Sequence, residues 1–222
     1  MCTTVVLDDV WSLFENRVFT VPSVQDGPTP LFNPYHDRDS RVDLPGADCI
    51  RRSNLFRYLS SFAERPSVLV VGEAPGWRGC RFSGVPFTSE AQLCDGALPF
   101  TGHQSSAASS PYAENSATIF WRVARPHGSS FLAWNCVPFH LHRPDDPLSN
   151  RPPTRREIAA HLELLAALLA LLEPGLVVAV GRSAGWALRQ MDVPCTCVRH
   201  PSHGGADEFT VGLENALRRG KR

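Results

Sequence analysis

An unbroken apolar run near residue 68 constrains the fold of this chain more than any other feature. Residues 67–72 read Ser-Val-Leu-Val-Val-Gly, without a polar residue between Val68 and Val71. Such a run indicates a strand that is buried on both faces, as in a parallel sheet with helices on each side. Further strand candidates follow at 130–137, 176–180 and 193–198, with helical patterns between them. The sequence therefore predicts an α/β fold, a three-layer α/β/α domain with a four-stranded, mainly parallel central sheet.

The length and composition are those of one domain. The chain has 222 residues, of which 43% are hydrophobic and 20% charged, enough to bury a substantial core. No domain boundary stands out, so residues 1–222 are predicted to form a single domain. Residues 1–48 form an irregular extension packed on it, with a short helix near 8–17. A capping box at Thr154 starts a Leu-rich helix that is predicted to run to Pro174.

Charge and cysteine usage exclude several classes of protein. The formal net charge is +0, so no global signal points to nucleic acid, although a local basic patch suffices to bind phosphates. The longest apolar run, near 159–172, is too short to span a bilayer, and no signal peptide is found, so no membrane partner is expected. The seven cysteines are scattered and form no C-x-x-C, which indicates incidental thiols in a reducing cytoplasm and neither metal nor cofactor.

Three predicted strands end in residues that can do chemistry. Glu73 follows the first strand, Asn135 ends the second and His200 follows the fourth. Because the carboxyl ends of parallel strands share one edge of a sheet, the three side chains are expected to line one pocket. An amide can read the polar edge of a base, an imidazole can donate to a developing anion, and a carboxylate can hold water or stabilise a cation. Each also has a structural alternative: a backbone bond for Asn135, a turn cap for His200 and an arginine partner for Glu73.

The order of short motifs carries a resemblance to a known family. The chain has Gly72-Glu73-Ala74-Pro75-Gly76, then Gly84-Val85-Pro86-Phe87, then Asn135, then His200-Pro201-Ser202. Over roughly residues 67–205 this order is similar to the uracil-DNA glycosylase superfamily, and the opening motif looks most like its thermophile-type branch. The resemblance implies a monomeric repair enzyme that binds single- or double-stranded DNA. It would flip uracil out and hydrolyse the N-glycosidic bond, leaving an abasic site.

The resemblance also implies roles for individual residues. Glu73 would position water or stabilise an oxocarbenium-like transition state, and His200 would donate toward uracil O2. The base would be bound by Gly72, Ala74, Phe87 and Asn135, with Phe87 stacking on the ring. The DNA would be contacted by Trp77, Arg78, Arg81, Arg182, Arg199, Ser202, His203, Gly204 and Gly205. The alternatives are a plain core aromatic for Phe87, an ordinary glycine turn, and solvated surface arginines.

Two departures from the thermophile-type pattern leave alternatives open. The four cluster-binding cysteines are missing, so no iron–sulfur centre is expected. The acidic residues that normally follow the first motif are replaced by Trp77-Arg78-Gly79-Cys80-Arg81, which leaves the water-activating group open. The chain is therefore also compatible with a module that binds damaged or single-stranded DNA without turnover, or with a glycosylase for hypoxanthine or xanthine. A generic nucleotide-binding protein ranks last, because neither glycine-rich phosphate-binding motif is present.

Overall fold

Four parallel strands form the centre of the computed structural model, which describes residues 3–24, 27–202 and 204–220. In chain order these strands are β2 (Val68–Gly72), β3 (Phe131–Asn135), β5 (Leu176–Val180) and β6 (Thr196–Val198). Their order across the sheet is β3-β2-β5-β6, and every pairing is parallel. The predicted α/β fold with a four-stranded central sheet is confirmed.

A two-stranded antiparallel ribbon lies apart from this sheet. Its strands are β1 (Leu31–Phe32) and β4 (His140–Leu141), and Phe32 pairs with His140. The ribbon joins the N-terminal segment to the segment that follows β3. It thereby fastens the extension next to the carboxyl end of the sheet.

Helices of very different lengths connect and cover the strands. In chain order they are α1 (Thr3–Arg17), α2 (Ala47–Ser60), α3 (Cys80–Ser83), α4 (Glu90–Cys94), α5 (Asn115–Ala124), a 3-10 helix (Arg125–Ser130), α6 (Arg155–Ala159), α7 (Leu162–Leu172), α8 (Gly181–Gln190) and α9 (Ala206–Arg219). None of the helices in the described ranges is both long and apolar enough to cross a membrane.

Helices pack on both faces of the sheet, as the side chains of β3 show. Trp134 stacks on Phe14 of α1 with ring centroids 4.1 Å apart, whereas Phe131 meets Phe120 of α5 edge-on at 5.7 Å. Positions 131 and 134 point to opposite faces, because side chains alternate along a strand. α1 packs against α7, and α5 packs against α9. The sheet therefore lies between two helical layers.

The Leu-rich segment is two helices and not one. Thr154 begins it as predicted: its backbone N–H donates to Glu157 Oε2 at 2.7 Å, and its hydroxyl accepts from the Glu157 N–H at 3.2 Å. The helix then breaks at His161, whose φ of −115° and ψ of 6° lie outside the helical range. This break directs the imidazole onto Phe139, edge to face at 5.2 Å. The prediction of one continuous helix was therefore wrong. The leucine pattern does not record the contact between His161 and Phe139, which accompanies the break.

A buried charge cluster joins the N-terminal segment to the rest of the domain. The carboxylate of Asp43 is fully buried between two arginines, Arg51 at 3.2 Å and Arg81, which approaches more closely. Both guanidinium groups are buried as well, with side-chain exposures of 0% and 2%. Such a cluster is stable only while its charges remain paired. The extension is also less irregular than expected, since α1 begins at Thr3 and spans 15 residues.

Candidate active site

A cleft of about 1030 Å³ opens at the carboxyl ends of the parallel strands. Glu73 enters it directly after β2, Asn135 from the last position of β3, and His200 two residues after β6. The three side chains that the sequence placed at strand ends thus line one cleft. Their convergence follows from the parallel topology, which puts all of these ends on the same edge of the sheet.

Glu73 is fixed through both its side chain and its backbone. Ser183 Oγ donates to Glu73 Oε2 at 2.5 Å from the first turn of α8, where the helix dipole favours a negative charge. The Glu73 carbonyl oxygen accepts from the N–H of Val137 at 3.0 Å and from the Cys136 thiol at 3.2 Å. Glu73 was predicted from the sequence, whereas Ser183, in the Gly-Arg-Ser segment after the third strand, was not.

Gly72 makes room for the two side chains that are expected to bind a base. A Cβ atom at this position would lie 2.6 Å from Asn135 Oδ1 and 2.6 Å from Phe87 Cζ, which is too close for either. Asn135 is 6% exposed, and in the described part of the chain its amide makes no hydrogen bond that would occupy it. Ala74, the next small residue of the motif, also lines the cleft. The amide and the aromatic ring therefore meet over a glycine.

Phe87 has a strained backbone and a stacked ring. Its φ is +54°, a conformation that costs a bulky residue of order 1–3 kcal/mol and that occurs preferentially at functional sites. The ring stacks on Phe120 of α5 with centroids 4.5 Å apart and an interplanar angle of 13°. Phe87 is only partly buried and lines the cleft, so it is both packed on the core and available to a ligand.

His200 is held in one tautomer by its neighbour Ser202. The backbone N–H of Ser202 donates to His200 Nδ1 at 3.2 Å, and the Ser202 hydroxyl lies 2.8 Å from the same nitrogen. Because a backbone amide can only donate, Nδ1 is the acceptor and the neutral ring carries its proton on Nε2. The imidazole is thus arranged as a hydrogen-bond donor from Nε2.

A second carboxylate in the cleft was missed by the sequence analysis. Glu114 immediately precedes α5, and a Cβ atom on Gly76 would lie 2.6 Å from its Oε1. A Cβ atom on Gly79 would overlap its Oε2. Burial raises the pKa of Glu114, while a hydrogen bond with Ser116 opposes that shift. The only sign of Glu114 in the sequence is the pair Gly76 and Gly79, whose small size leaves room for its carboxyl.

Most of the residues expected to contact DNA lie on or beside the cleft. Trp77 packs edge-to-face on Tyr112 at 5.6 Å, and the guanidinium of the exposed Arg78 lies 4.6 Å above its ring. Arg182 and Arg199 are exposed and line the cleft, and Arg199 forms an ion pair with Glu208 at 2.7 Å. Arg182 and Arg199 thus give the cleft a basic lining, and Trp77 and Arg78 directly follow Gly76, which also lines it.

Two of the expected DNA contacts require correction. Arg81 is 2% exposed and bound to Asp43, so its guanidinium cannot reach a phosphate. Gly205 is buried, and a Cβ atom there would overlap the carbonyl oxygen of His200, so this glycine serves close packing. Gly204 is exposed with φ +76° and has open space around it. The expected groove contact of His203 lies outside the described residues.

Most of the described cysteines lie at separate places in the fold, some buried and some exposed. Burial raises the pKa of the Cys80 and Cys136 thiols to about 12, so both are neutral, buried thiols. Cys195 and Cys197 are neighbours, with their sulfur atoms 4.0 Å apart. Among the described residues no group of three or more His, Cys, Asp or Glu side chains has the arrangement of a metal site.

Comparison with known proteins identifies the family. The family model described as "Uracil DNA glycosylase superfamily" matches residues 59–210, which include Glu73, Asn135 and His200. The chain belongs to the uracil-DNA glycosylase superfamily. It is accordingly a DNA glycosylase, a hydrolase of N-glycosyl bonds. The match is to the superfamily as a whole, so the closer likeness to the thermophile-type branch stays a prediction.

A solved structure shares the whole glycosylase fold. The crystal structure of wild-type Pedobacter heparinus SMUG2 superimposes with a TM-score of 0.67 over 97% of this chain and 97% of that chain. The two sequences are 13% identical, so the likeness concerns the fold. No curated protein matches the sequence.

Proposed function

We propose that this glycosylase removes uracil from DNA, leaving an abasic site, and that it acts as a cytoplasmic monomer without a cofactor. The observation that carries the proposal is the convergence of Glu73, Asn135 and His200 in one cleft at the carboxyl ends of three strands. A carboxylate, an amide and an imidazole are the groups that cleavage of a base with an anionic leaving group requires.

The base-binding part of the cleft suits a planar ring with a polar edge. Phe87 offers a ring backed by Phe120, and a flipped base would stack on it. Asn135 would then bond to the N3–H and to a carbonyl oxygen of uracil, because its amide both donates and accepts. Gly72 keeps the amide and the ring close enough to bind the same base.

The catalytic step follows from the positions of Glu73 and His200. The bond between C1′ and uracil N1 breaks, and its electron pair leaves with the base. His200 would donate from Nε2 to O2 as negative charge builds there, since its Nδ1 is occupied by Ser202. Glu73 would stabilise the cationic sugar and orient a water molecule whose oxygen bonds to C1′. One proton of that water passes to Glu73 and from there to solvent or to the departing base.

The rim of the cleft supplies contacts for the DNA around the flipped base. Arg182 and Arg199 would bind phosphates. For this, Arg199 would give up its ion pair with Glu208. The Trp77 ring, covered by Arg78, would stack on a neighbouring base. These contacts would offset the cost of unstacking the target base.

A cleavage assay tests the proposal. Single-stranded and duplex oligonucleotides with one uracil are incubated with the protein, and abasic sites are cleaved with alkali. Wild-type protein is expected to yield cut strands, and Glu73→Gln and Asn135→Ala are expected to lose about a hundredfold or more in single-turnover rate. Equal binding to uracil-containing and normal DNA, with no cut strand at high enzyme concentration, would instead establish the non-catalytic binding module.

A further inference from the structure

Two thiols lie side by side at the wall of the cleft. The sulfur atoms of Cys195 and Cys197 are 4.0 Å apart, and Cys197 lines the cleft together with His200. Cys197 is exposed and Cys195 is half-buried, so a small oxidant in solution can reach the pair. The reaction proposed for Glu73 and His200 involves neither sulfur atom. The pair is therefore a reactive group at the site with no part in base release.

The backbone that carries the pair can change its path. β6 is an edge strand of the sheet, and its pairing with β5 begins at Thr196, opposite Val178, so Cys195 lies just before the paired residues. Two residues of an extended strand span about 6.4–6.8 Å between their Cα atoms. A disulfide bridges Cα atoms up to about 6.8 Å apart, with a preference for about 5.5–6 Å. A bond between the two sulfur atoms thus needs a small shortening of this segment, which the position of Cys195 allows.

The two thiols differ in their surroundings. Burial and the neighbouring Cys197 raise the pKa of the Cys195 thiol, and Arg189 opposes that shift. Cys195 therefore keeps its proton and can share it with Cys197 Sγ. Arg189 and Cys197 both pack on Gly185 of α8, where a Cβ atom would lie 3.2 Å from a guanidinium nitrogen and 3.5 Å from Cys197 Sγ. Because a thiol donor and a guanidinium group both stabilise a thiolate, Cys197 is the sulfur placed to attack an oxidant.

We propose that Cys195 and Cys197 are a reversible oxidation site, at which hydrogen peroxide converts two thiols into a disulfide that slows the enzyme. The Cys197 thiolate attacks one oxygen of the peroxide, the O–O bond breaks, and the departing hydroxide takes up the thiol proton to leave as water. Cys195 Sγ then attacks the sulfenic acid formed on Cys197 and displaces its hydroxyl as a second water molecule. In sum, two thiols and one peroxide give one disulfide and two water molecules, and two electrons pass from sulfur to oxygen.

The disulfide would act on the cleft through His200. This residue follows β6 by two positions, and it is closely packed: a Cβ atom on Gly205 would overlap its carbonyl oxygen, and one on Gly181 would lie 3.5 Å from its Cβ. A shorter path through residues 195–197 therefore displaces the imidazole or strains these contacts. Exposed or strained disulfides are readily reduced, which makes the change reversible in a reducing compartment. The effect on activity rests on the proposed function, whereas formation of the disulfide does not.

Peptide mapping tests whether the disulfide forms. The full-length protein is treated with hydrogen peroxide, alkylated and digested with trypsin, which releases residues 190–199 with both cysteines in one peptide. This peptide is expected to lack two hydrogen atoms, about 2 Da, and to resist alkylation until dithiothreitol is added. In Cys195→Ser the sulfenic acid on Cys197 has no neighbouring thiol to react with, so it is expected to be trapped by dimedone. Two alkylated cysteines in the peptide from peroxide-treated wild type would overturn the inference.

The control for exposure is Cys94→Ser. Cys94 is also exposed, but its sulfur contacts the carbonyl oxygen of Gly102, at 4.0 Å. Peroxide treatment of Cys94→Ser is therefore expected to remove the same two hydrogen atoms from peptide 190–199 as in wild type. Loss of the disulfide in this variant would mean that Cys195 and Cys197 do not react with each other directly, which would overturn the inference.

Single-turnover release of uracil measures the effect on the cleft. Oxidised wild type is expected to be slower than reduced wild type by about threefold or more, because displacement of a catalytic group lowers the rate steeply, and dithiothreitol is expected to restore the rate. The double variant Cys195→Ser/Cys197→Ser is expected to show no response to peroxide. A disulfide in wild type with an unchanged rate would overturn its action on the enzyme. If reduced protein released no uracil, the proposed function would fail, and the peptide mass would still decide whether the disulfide forms.

Discussion

The Ser183 hydroxyl donates to the Glu73 carboxylate at 2.5 Å and so connects the end of β2 to the first turn of α8. Glu73 follows the central strand β2, and the helix begins where β5 ends. The orientation of the proposed catalytic carboxylate therefore depends on two adjacent strands as well as on the motif that contains it. A positioning role of this kind can be separated from a structural one by kinetics.

Ser183→Ala is expected to lower the rate of base release about ten- to a hundredfold, because a hydrogen bond to a charged group is worth about 1.5–3 kcal/mol. The DNA dissociation constant is expected to change little, since Ser183 acts through Glu73. Single-turnover excision and fluorescence anisotropy measure the two quantities. Ser12→Ala, at an exposed position of α1, is the control. A rate equal to that of wild type would remove Ser183 from the positioning machinery.

Arg182→Ala is expected to weaken DNA binding and to reduce its dependence on salt. Each phosphate contact contributes about −0.9 to the slope of log K against log salt concentration for duplex DNA. Titrations of a normal duplex at several salt concentrations measure that slope. Arg57→Ala is the control, because Arg57 is exposed on α2 and does not line the cleft. Identical slopes for Arg182→Ala and wild type would show that Arg182 binds no phosphate.

His140 is expected to make the folded state sensitive to acid. Its Nδ1 lies 2.9 Å from the Pro75 carbonyl oxygen and its Nε2 3.1 Å from that of Pro147. Burial lowers the pKa of this imidazole to about 4, against 6.5 in the unfolded chain, and outweighs the two carbonyl contacts, which favour the protonated ring. The unfolded state therefore binds a proton first as the pH falls, and stability decreases between about pH 6.5 and 4 by about 3 kcal/mol.

Chemical denaturation of wild type and His140→Gln over that pH range measures this contribution. The difference in unfolding free energy between the two proteins is expected to narrow as the pH falls, because only wild type carries the imidazole. His103→Gln, at an exposed position, is expected to show no such pH-dependent difference. A constant difference between wild type and His140→Gln would contradict a buried neutral His140.

Asp43→Asn is expected to destabilise the protein by about 3–5 kcal/mol, since it leaves Arg51 and Arg81 buried without their counter-charge. The comparison is Asp146→Asn, which removes an ion pair with Arg143 whose side chains are 67% and 48% exposed. That change is expected to cost less than about 1 kcal/mol. Denaturant titrations of both variants measure the costs. Equal losses would mean that burial does not govern the strength of these pairs.

The parts of the fold that depend on local pattern were predictable from the sequence. Short apolar segments indicated the four strands, and the parallel topology then brought Glu73, Asn135 and His200 to one edge. Ser183 and Glu114 could not be assigned, because each meets the site only through a tertiary contact with a residue far away in the chain. No periodicity or short motif records such a contact.

Residues whose burial decides their role were the hardest to interpret. The segment that contains Arg81 has the composition of a DNA contact, since Trp77 and Arg78 make it basic and aromatic. Its neighbour in space is Asp43, 38 residues earlier, which turns it into an internal ion pair. Gly205 likewise reads as part of a flexible loop but is packed against the His200 carbonyl. The partner of Arg81 is distant in the sequence, and the partner of Gly205 is a backbone atom. Neither contact leaves a pattern in the sequence that could predict it.

The pairing of Asp43 with Arg51 and Arg81 also bears on where this glycosylase begins as a folding unit. The superfamily match starts at residue 59, so a fragment cut at that point would keep every motif and all four strands of the central sheet. It would nevertheless lose the Asp43 carboxylate that neutralises Arg81, and the Phe32 ring that lies 4.3 Å from its guanidinium. The motifs contain the residues of the candidate site, whereas the smallest fragment that folds is expected to include residues well upstream of the first motif.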